Sequence, residues 1–149
     1  MIKIELRVAE ANQVDYDLFD KMDSAMRYSE DDDVEMERKK QFQSYEEYDR
    51  YLADLGTIIF INLEGADEPI GFFRVTGFKD NSLKINDMYI TKANQGKGYG
   101  KKAVKQLIED LKDDFERFFL MSYSIATDCF WSSCSFRVNE GGYYEFKIK

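Results

Sequence analysis

Histidine is absent from the 149 residues. That removes Ser-His-Asp triads, Cys-His dyads and histidine-ligated zinc from the chemistry this chain can build by itself. Cysteine is scarce, since only Cys129 and Cys134 could form a disulfide or ligate a metal. Their spacing places them on roughly opposed faces of a helix, which disfavours a bridge between them. Reduced, structural thiols and no metal site are the expectation. No apolar run reaches the ~18 residues of a membrane-spanning helix. The stretch Met1-Ile2-Lys3-Ile4-Glu5-Leu6-Arg7-Val8 alternates apolar with charged residues and lacks a signal peptide's continuous apolar segment. A cytoplasmic protein with no membrane partner is expected. Internal repeats and low-complexity tracts are also missing.

What is present suits a folded chain. Hydrophobic residues make up 44%, including 12 Phe and 10 Tyr, enough for a core of large, rigid side chains. The length fits a single domain over residues 1–149. The net charge of −8 argues against nucleic acid as a partner. Its distribution is uneven, because the first fifty residues carry most of the acidic excess. Between Met88 and Ile108, by contrast, stand Lys92, Lys97, Lys101, Lys102 and Lys105 and no acid. On charge alone this stretch is either an anion site or a solvated, lysine-rich helix start.

Hydrophobic periodicity divides the chain into elements. Ile2, Ile4, Leu6 and Val8 repeat with the period of a half-buried strand. Val14–Arg27 reads as a helix with Leu18, Met22 and Met26 on one face. A polar segment from Glu30 and a short charged helix near Val34–Lys40 follow. Ser44 and Glu47 form the signature of a capping box, ahead of a helix carrying Tyr48, Tyr51, Leu52 and Leu55. Three strands are expected at Thr57–Leu63, Ile70–Phe78 and Ser82–Thr91, forming an antiparallel meander. Val104, Leu107, Ile108, Leu111 and Phe115 mark an amphipathic helix after Gly100. Phe118–Ile125 reads as a buried strand and Ala126–Cys134 as a short helix. Phe136–Val138 and Tyr143–Ile148 close the chain as a pair turned by Asn139–Gly142.

The chemistry-bearing element is Asn94-Gln95-Gly96-Lys97-Gly98-Tyr99-Gly100-Lys101-Lys102, between a strand and a helix. Glycines let successive N–H groups turn to one side, and the helix start adds unpaired N–H groups and a positive dipole end. Together they make a cradle for a diphosphate. A P-loop is excluded, because Gly100-Lys101-Lys102 lacks the hydroxyl that would hold magnesium. A dinucleotide fold is nominally matched by Gly98-Tyr99-Gly100-Lys101-Lys102-Ala103, but too little chain remains for its βαβ units. The third design fits: Gln95-Gly96-Lys97-Gly98-Tyr99-Gly100 is Q-x-x-G-x-G. With Met88-Tyr89-Ile90-Thr91 as an apolar strand end and the order of elements above, the chain resembles the GNAT superfamily of acetyl-CoA-dependent N-acetyltransferases.

The resemblance implies an α/β (α+β-like) acyl-CoA N-acyltransferase fold, a central, mostly antiparallel mixed sheet flanked by helices. It implies acetyl-CoA as co-substrate, with its diphosphate on the backbone of Gln95, Gly96, Lys97, Gly98, Tyr99, Gly100 and Lys101, and with Lys97, Lys101 and Lys102 as candidates to neutralise its charge, that of the 3′-phosphate included. The pantetheine arm would pair with the backbone of Met88, Tyr89 and Ile90, and Ser124 stands where the family often has a cofactor-binding Asn. Two positions depart from the family pattern. The usual glutamate base is Lys84, which leaves Asp87 as candidate base or as a solvated strand-end carboxylate. The usual tyrosine acid is Trp131, a core filler or a wall against pantetheine, with Tyr123, Cys134 or water as substitute acids. The position where the family often has Gly is Ser135. The acceptor is expected to be a small-molecule or peptide amine. The acids Glu30–Asp33, Glu35 and Glu37 either favour a cationic acceptor or are merely solvated. Phe42, Tyr45 and Tyr48 line its pocket or pack. Exposed strand edges allow a homodimer. A catalytically weak acyl-CoA-binding domain and an interaction module with a vestigial turn are the alternatives.

Overall fold

A computed structural model of the chain describes residues 2–29, 40–122 and 124–148. Among these residues are seven strands and four helices, in the order β1 (Ile4–Val8), α1 (Gln13–Ser29), α2 (Tyr45–Asp54), β2 (Thr57–Leu63), β3 (Gly71–Gly77), β4 (Ser82–Ile90), α3 (Tyr99–Leu111), β5 (Arg117–Leu120), α4 (Ile125–Ser133), β6 (Arg137–Val138) and β7 (Tyr144–Lys147). The acidic run Glu30–Asp33 and residues 34–39 of the expected charged helix lie outside the described residues.

Local chemistry sets the helix starts. The Asn12 side chain accepts the Asp15 N–H (2.8 Å) at the head of α1, and Ser44 Oγ accepts the Glu47 N–H (3.2 Å) at the head of α2. Glu47 reaches back to the N–H of Gln43 (2.8 Å), one residue before the position a capping box uses. Tyr48 and Tyr51 face the sheet as expected, whereas Leu55, just past the end of α2, is 65% exposed. Phe115 also lies past its helix, beyond Leu111, yet still packs against the core.

The sheet order is β1-β2-β3-β4-β5-β7-β6. β1 to β4 pair antiparallel, as do β5, β7 and β6, and among the described residues the only parallel pairing joins β4 to β5. One face packs Phe73, Val75, Leu83 and Ile85 against Val104 and Leu107 of α3 and Trp131 of α4. The other packs Ile58, Phe60, Phe72 and Tyr89 against Phe19 and Met22 of α1 and Tyr48 and Tyr51 of α2. Each such aromatic or aliphatic side chain contributes roughly 1.5–3 kcal/mol when fully buried.

Two departures from the sequence reading shape the site. β5 ends at Leu120 instead of reaching Ile125, because Ser124 stops the strand by capping α4: its Oγ accepts the Thr127 N–H (3.2 Å), and Thr127 Oγ1 accepts the Ser124 N–H (3.3 Å). β4 also contains one residue more than β3 opposes. Arg74 pairs with Asp87 but Val75 pairs with Ile85, so Asn86 is surplus. Its amide is taken up by Thr76 Oγ1 (2.8 Å). Beyond this bulge the strand changes phase. Ile85 faces α3 and α4, then Asp87 and Tyr89 face α1 and α2, and Met88 and Ile90 return to the α3 side.

Candidate active site

β4 and β5 stay paired only from Ser82–Arg117 to Lys84–Phe119. β4 then runs on to Ile90 while β5 stops and its chain turns into α4, so the two separate like the arms of a fork. Among the described residues, the β5-facing edge of β4 beyond Lys84 therefore has no strand partner. A cavity of about 410 Å³ fills the fork. Its walls are Asn86, Asp87 and Met88 of β4, Ser122 beyond β5, Thr127 and Trp131 of α4, and Met26 and Arg27 of α1. A larger but more open depression of about 610 Å³ lies between β1 and α3, bounded by Leu6 and Gln106, and includes no residue of the glycine turn.

That turn lies between the free arm of β4 and α3. It is tied down at its start, where Gln95 Nε2 donates to the Ile90 carbonyl (2.8 Å) and Asn94 Nδ2 to Thr91 Oγ1 (2.8 Å). The Gln95 side chain thus holds the turn to the strand end. Gly96 and Gly98 follow at φ +77° and +82°, left-handed conformations that favour glycine, and no atom lies within 4 Å of where a Cβ would stand at either. Gly100 is needed for space instead. A Cβ there would approach Phe130 Cε1 at 3.2 Å, so its absence lets α4 pack against the start of α3. Among the described residues, no protein acceptor is bonded to the backbone N–H of Gly96, Lys97, Gly98, Tyr99, Gly100 or Lys101. Six consecutive donors, at a helix start and beside the exposed Lys97, Lys101 and Lys102, form an anion cradle.

The other expected site residues divide. Met88, Tyr89 and Ile90 occupy the free arm of β4, with the Tyr89 ring buried on the α1–α2 side. Asp87 borders the cavity, and its Oδ2 accepts from Arg74 Nε at 2.7 Å. Arg74 also donates to the Tyr51 hydroxyl (3.4 Å). Burial works against the Arg74 charge, but Asp87 and Tyr51 outweigh it and hold the guanidinium pKa above its ordinary value. Lys84 lies in the paired part of β4, opposite Phe119, and does not border the cavity. Trp131 is 5% exposed, stacked edge-on to Phe130 and Phe136, and is at once core and cavity wall. Ser124 is engaged as the α4 cap. Cys134 sits against α3, outside the cavity, and burial pushes its thiol pKa up. Ser135 adopts φ +70°, a conformation that favours glycine. Tyr123 lies outside the described residues. Phe42 and Tyr48 are buried among other rings, and Tyr45 donates to the Ala11 carbonyl (2.8 Å), so these three pack and do not line the cavity.

Sequence reasoning missed Arg27, Arg74, Ser122 and Thr127. Arg74 had a signal, a charge inside the apolar run Gly71-Phe72-Phe73-Arg74-Val75. The hydroxyls of Ser122 and Thr127, bonded to each other, are the ones bordering the cavity among the described residues.

The family model described as Acetyltransferase (GNAT) family matches residues 18–130, from α1 to α4. The chain belongs to the GNAT family. Solved structures agree on the GNAT fold. An acetyltransferase from Thermus thermophilus superposes with a TM-score of 0.71 at 20% identity, covering 99% of this chain and 100% of that one. A GNAT-family acetyltransferase from Staphylococcus aureus gives 0.71 at 16%, covering 97% and 100%. A GNAT-family acetyltransferase from Elizabethkingia anophelis, with acetyl-CoA bound, gives 0.63 at 16%, covering 98% and 99%. No curated protein matches the sequence. No helix among the described residues is long and apolar enough to cross a membrane.

Proposed function

We propose that this GNAT domain is an N-acetyltransferase that uses acetyl-CoA to acetylate a primary amine by direct transfer. The six unpartnered amides from Gly96 to Lys101 carry the reading, because they suit a diphosphate and lie next to a fork wide enough for an extended arm. Acetyl-CoA supplies an acyl group activated as a thioester. The chain's own part is positional. The turn holds the diphosphate, the free edge of Met88, Tyr89 and Ile90 offers main-chain groups to the arm, and Trp131 walls the cavity against water. β4 presents Asp87 on the α1–α2 side, where its carboxylate attracts an ammonium and takes the proton that nitrogen sheds as the C–N bond forms, while the C–S bond breaks and CoA leaves as a thiolate that takes a proton from water. Ser124 serves the cofactor end through the α4 start that it caps.

The second reading, a catalytically weak acyl-CoA-binding domain, is favoured by two features: Asp87 Oδ2 is already committed to Arg74, and the buried Trp131 stands where the resemblance puts a tyrosine acid. Titration calorimetry with acetyl-CoA, followed by release of CoA in the presence of spermidine, an aminoglycoside and a lysine peptide, separates the two. Turnover with any amine supports the enzyme, and heat without turnover supports the binder. No heat at millimolar acetyl-CoA rejects both. With an active amine, Asp87→Asn should lower kcat by about 10²-fold or more, and unchanged turnover removes Asp87 as the base.

A further inference from the structure

β1 forms one edge of the sheet and β6 the other. β6 is only two residues long, whereas β1 runs for five, Ile4 to Val8, against β2 with no bulge or proline to blunt it. The Lys3 carbonyl accepts from the Glu64 N–H (2.9 Å) and the Ala9 N–H donates to the Ile58 carbonyl (2.8 Å), so the odd-numbered residues of this stretch are the ones that bond to β2. Ile4, Leu6 and Val8 therefore turn their N–H and C=O groups outward, and among the described residues those groups have no hydrogen-bond partner. The edge opens on the depression of about 610 Å³ beside α3, which Ile4 and Leu6 help to line. Val8, 58% exposed, projects at the far end of the strand. On the other face Glu5 and Arg7 are both exposed and opposite in sign, with one residue between them.

We infer that β1 pairs antiparallel with β1 of a second copy of this chain, about a two-fold axis at Leu6. Parity and charge select this register. Outward residues must oppose outward residues, so the axis passes through a residue and never between two. An axis at Glu5 sets Glu5 against Glu5, and one at Arg7 sets Arg7 against Arg7. An axis at Ile4 or Val8 leaves most of the strand unpaired. The axis at Leu6 pairs all five residues: Leu6 opposes Leu6, Ile4 opposes Val8, and Glu5 opposes Arg7 twice, at the close spacing of non-hydrogen-bonded pairs. Arg7 can serve both partners, because it holds Asp15 through its two terminal nitrogens (2.8 and 2.9 Å) and keeps Nε for the carboxylate across the axis. The exposed Val8 of each copy enters the depression beside Ile4 of the other. β2 and β3 separate this edge from the free arm of β4, so the inference stands apart from the acetyl-transfer reading.

Sedimentation equilibrium from micromolar to millimolar chain, together with residue-resolved hydrogen exchange, tests the pairing. The wild type should sediment at twice the mass of the chain at the upper concentrations, and the amides of Leu6 and Val8 should exchange more slowly as concentration rises. Glu5→Lys, at an exposed residue, turns both attractive pairs into repulsive ones and should raise the dimer dissociation constant about tenfold or more. Val8→Pro deletes an outward N–H that no bond within the chain uses, which an edge strand tolerates, and should weaken the dimer as well. A wild type that stays monomeric throughout overturns the inference. So does a dimer that either variant leaves at wild-type strength, or one whose Leu6 and Val8 amides exchange at the same rate at every concentration.

Discussion

Gly98 and Gly65 offer a matched pair. Gly98 lies in the anion cradle at φ +82°, and Gly65 lies in the loop after β2 at φ +81°, with open space where a Cβ would stand at each. Alanine should therefore strain both backbones equally, by about 1–2 kcal/mol. In a chain of this length that corresponds to a fall in Tm of about 3–6 °C. Their effects on ligand should differ completely. Relaxing Gly98 out of the left-handed region swings the amides of Gly98 and Tyr99 away from their common centre. Hydrogen bonds to charged groups contribute about 1.5–3 kcal/mol each, so losing two removes about 3 kcal/mol or more, roughly a 150-fold loss of affinity. Gly98→Glu adds charge repulsion and should abolish binding. Calorimetric melting gives the stability half and titration with acetyl-CoA the binding half. The reasoning is refuted if Gly98→Ala binds like the wild type, or if Gly65→Ala loses as much affinity.

Three further outcomes follow from other parts of the fold. Asp15, buried on α1, accepts two hydrogen bonds from Arg7 (2.8 and 2.9 Å) and one from the Glu10 N–H (2.8 Å), and the Arg7 bonds hold its pKa below the ordinary carboxylate value. A depressed folded value means stabilisation that is present at neutral pH and lost as pH falls from about 4 through that lower value. Asp15→Asn should thus lower stability to urea by about 2 kcal/mol at pH 7 and by much less at pH 2; equal losses would refute the coupling. Gly71→Ala would drive a Cβ into the Tyr89 carbonyl oxygen, separating β3 from the free arm of β4, and should destabilise by about 3 kcal/mol in urea titrations. Trp131 is the only tryptophan and borders the fork, so its fluorescence should change saturably with acetyl-CoA in the wild type and stay constant in Gly98→Glu.

The elements and their order were legible because their periodicities are strong. Val104, Leu107, Ile108 and Leu111 repeat as only a helix does, and β2 to β4 are rich in β-branched and aromatic residues. The turn was legible for a different reason: its glycines and lysines form a local motif whose structure depends little on the rest of the chain. The walls of the cavity were legible only at Asp87, Met88 and Trp131, through the resemblance, whereas Arg27, Ser122 and Thr127 come from separate segments that only the folded sheet brings together. β5 was overextended because Met121 and Ile125 continue its apolar pattern, while the Ser124–Thr127 cap, which competes for the same backbone, decides where the strand stops. The bulge left a trace that went unread. Leu83 and Ile85 occupy odd positions and Met88 and Ile90 even ones, a break in alternation that marks the surplus residue.

That surplus residue makes β4 behave as two half-strands spliced out of step. Excising Asn86 would set Asp87 directly after Ile85 and still opposite Arg74, so the strand would alternate regularly, with Asp87 and Tyr89 kept on the α1–α2 side and Met88 and Ile90 kept under α3. Point substitution at Asn86 and excision of Asn86 are therefore edits of different kinds: the first trims one amide bond to Thr76, the second irons out the bend and extra twist that the surplus residue gives the free arm.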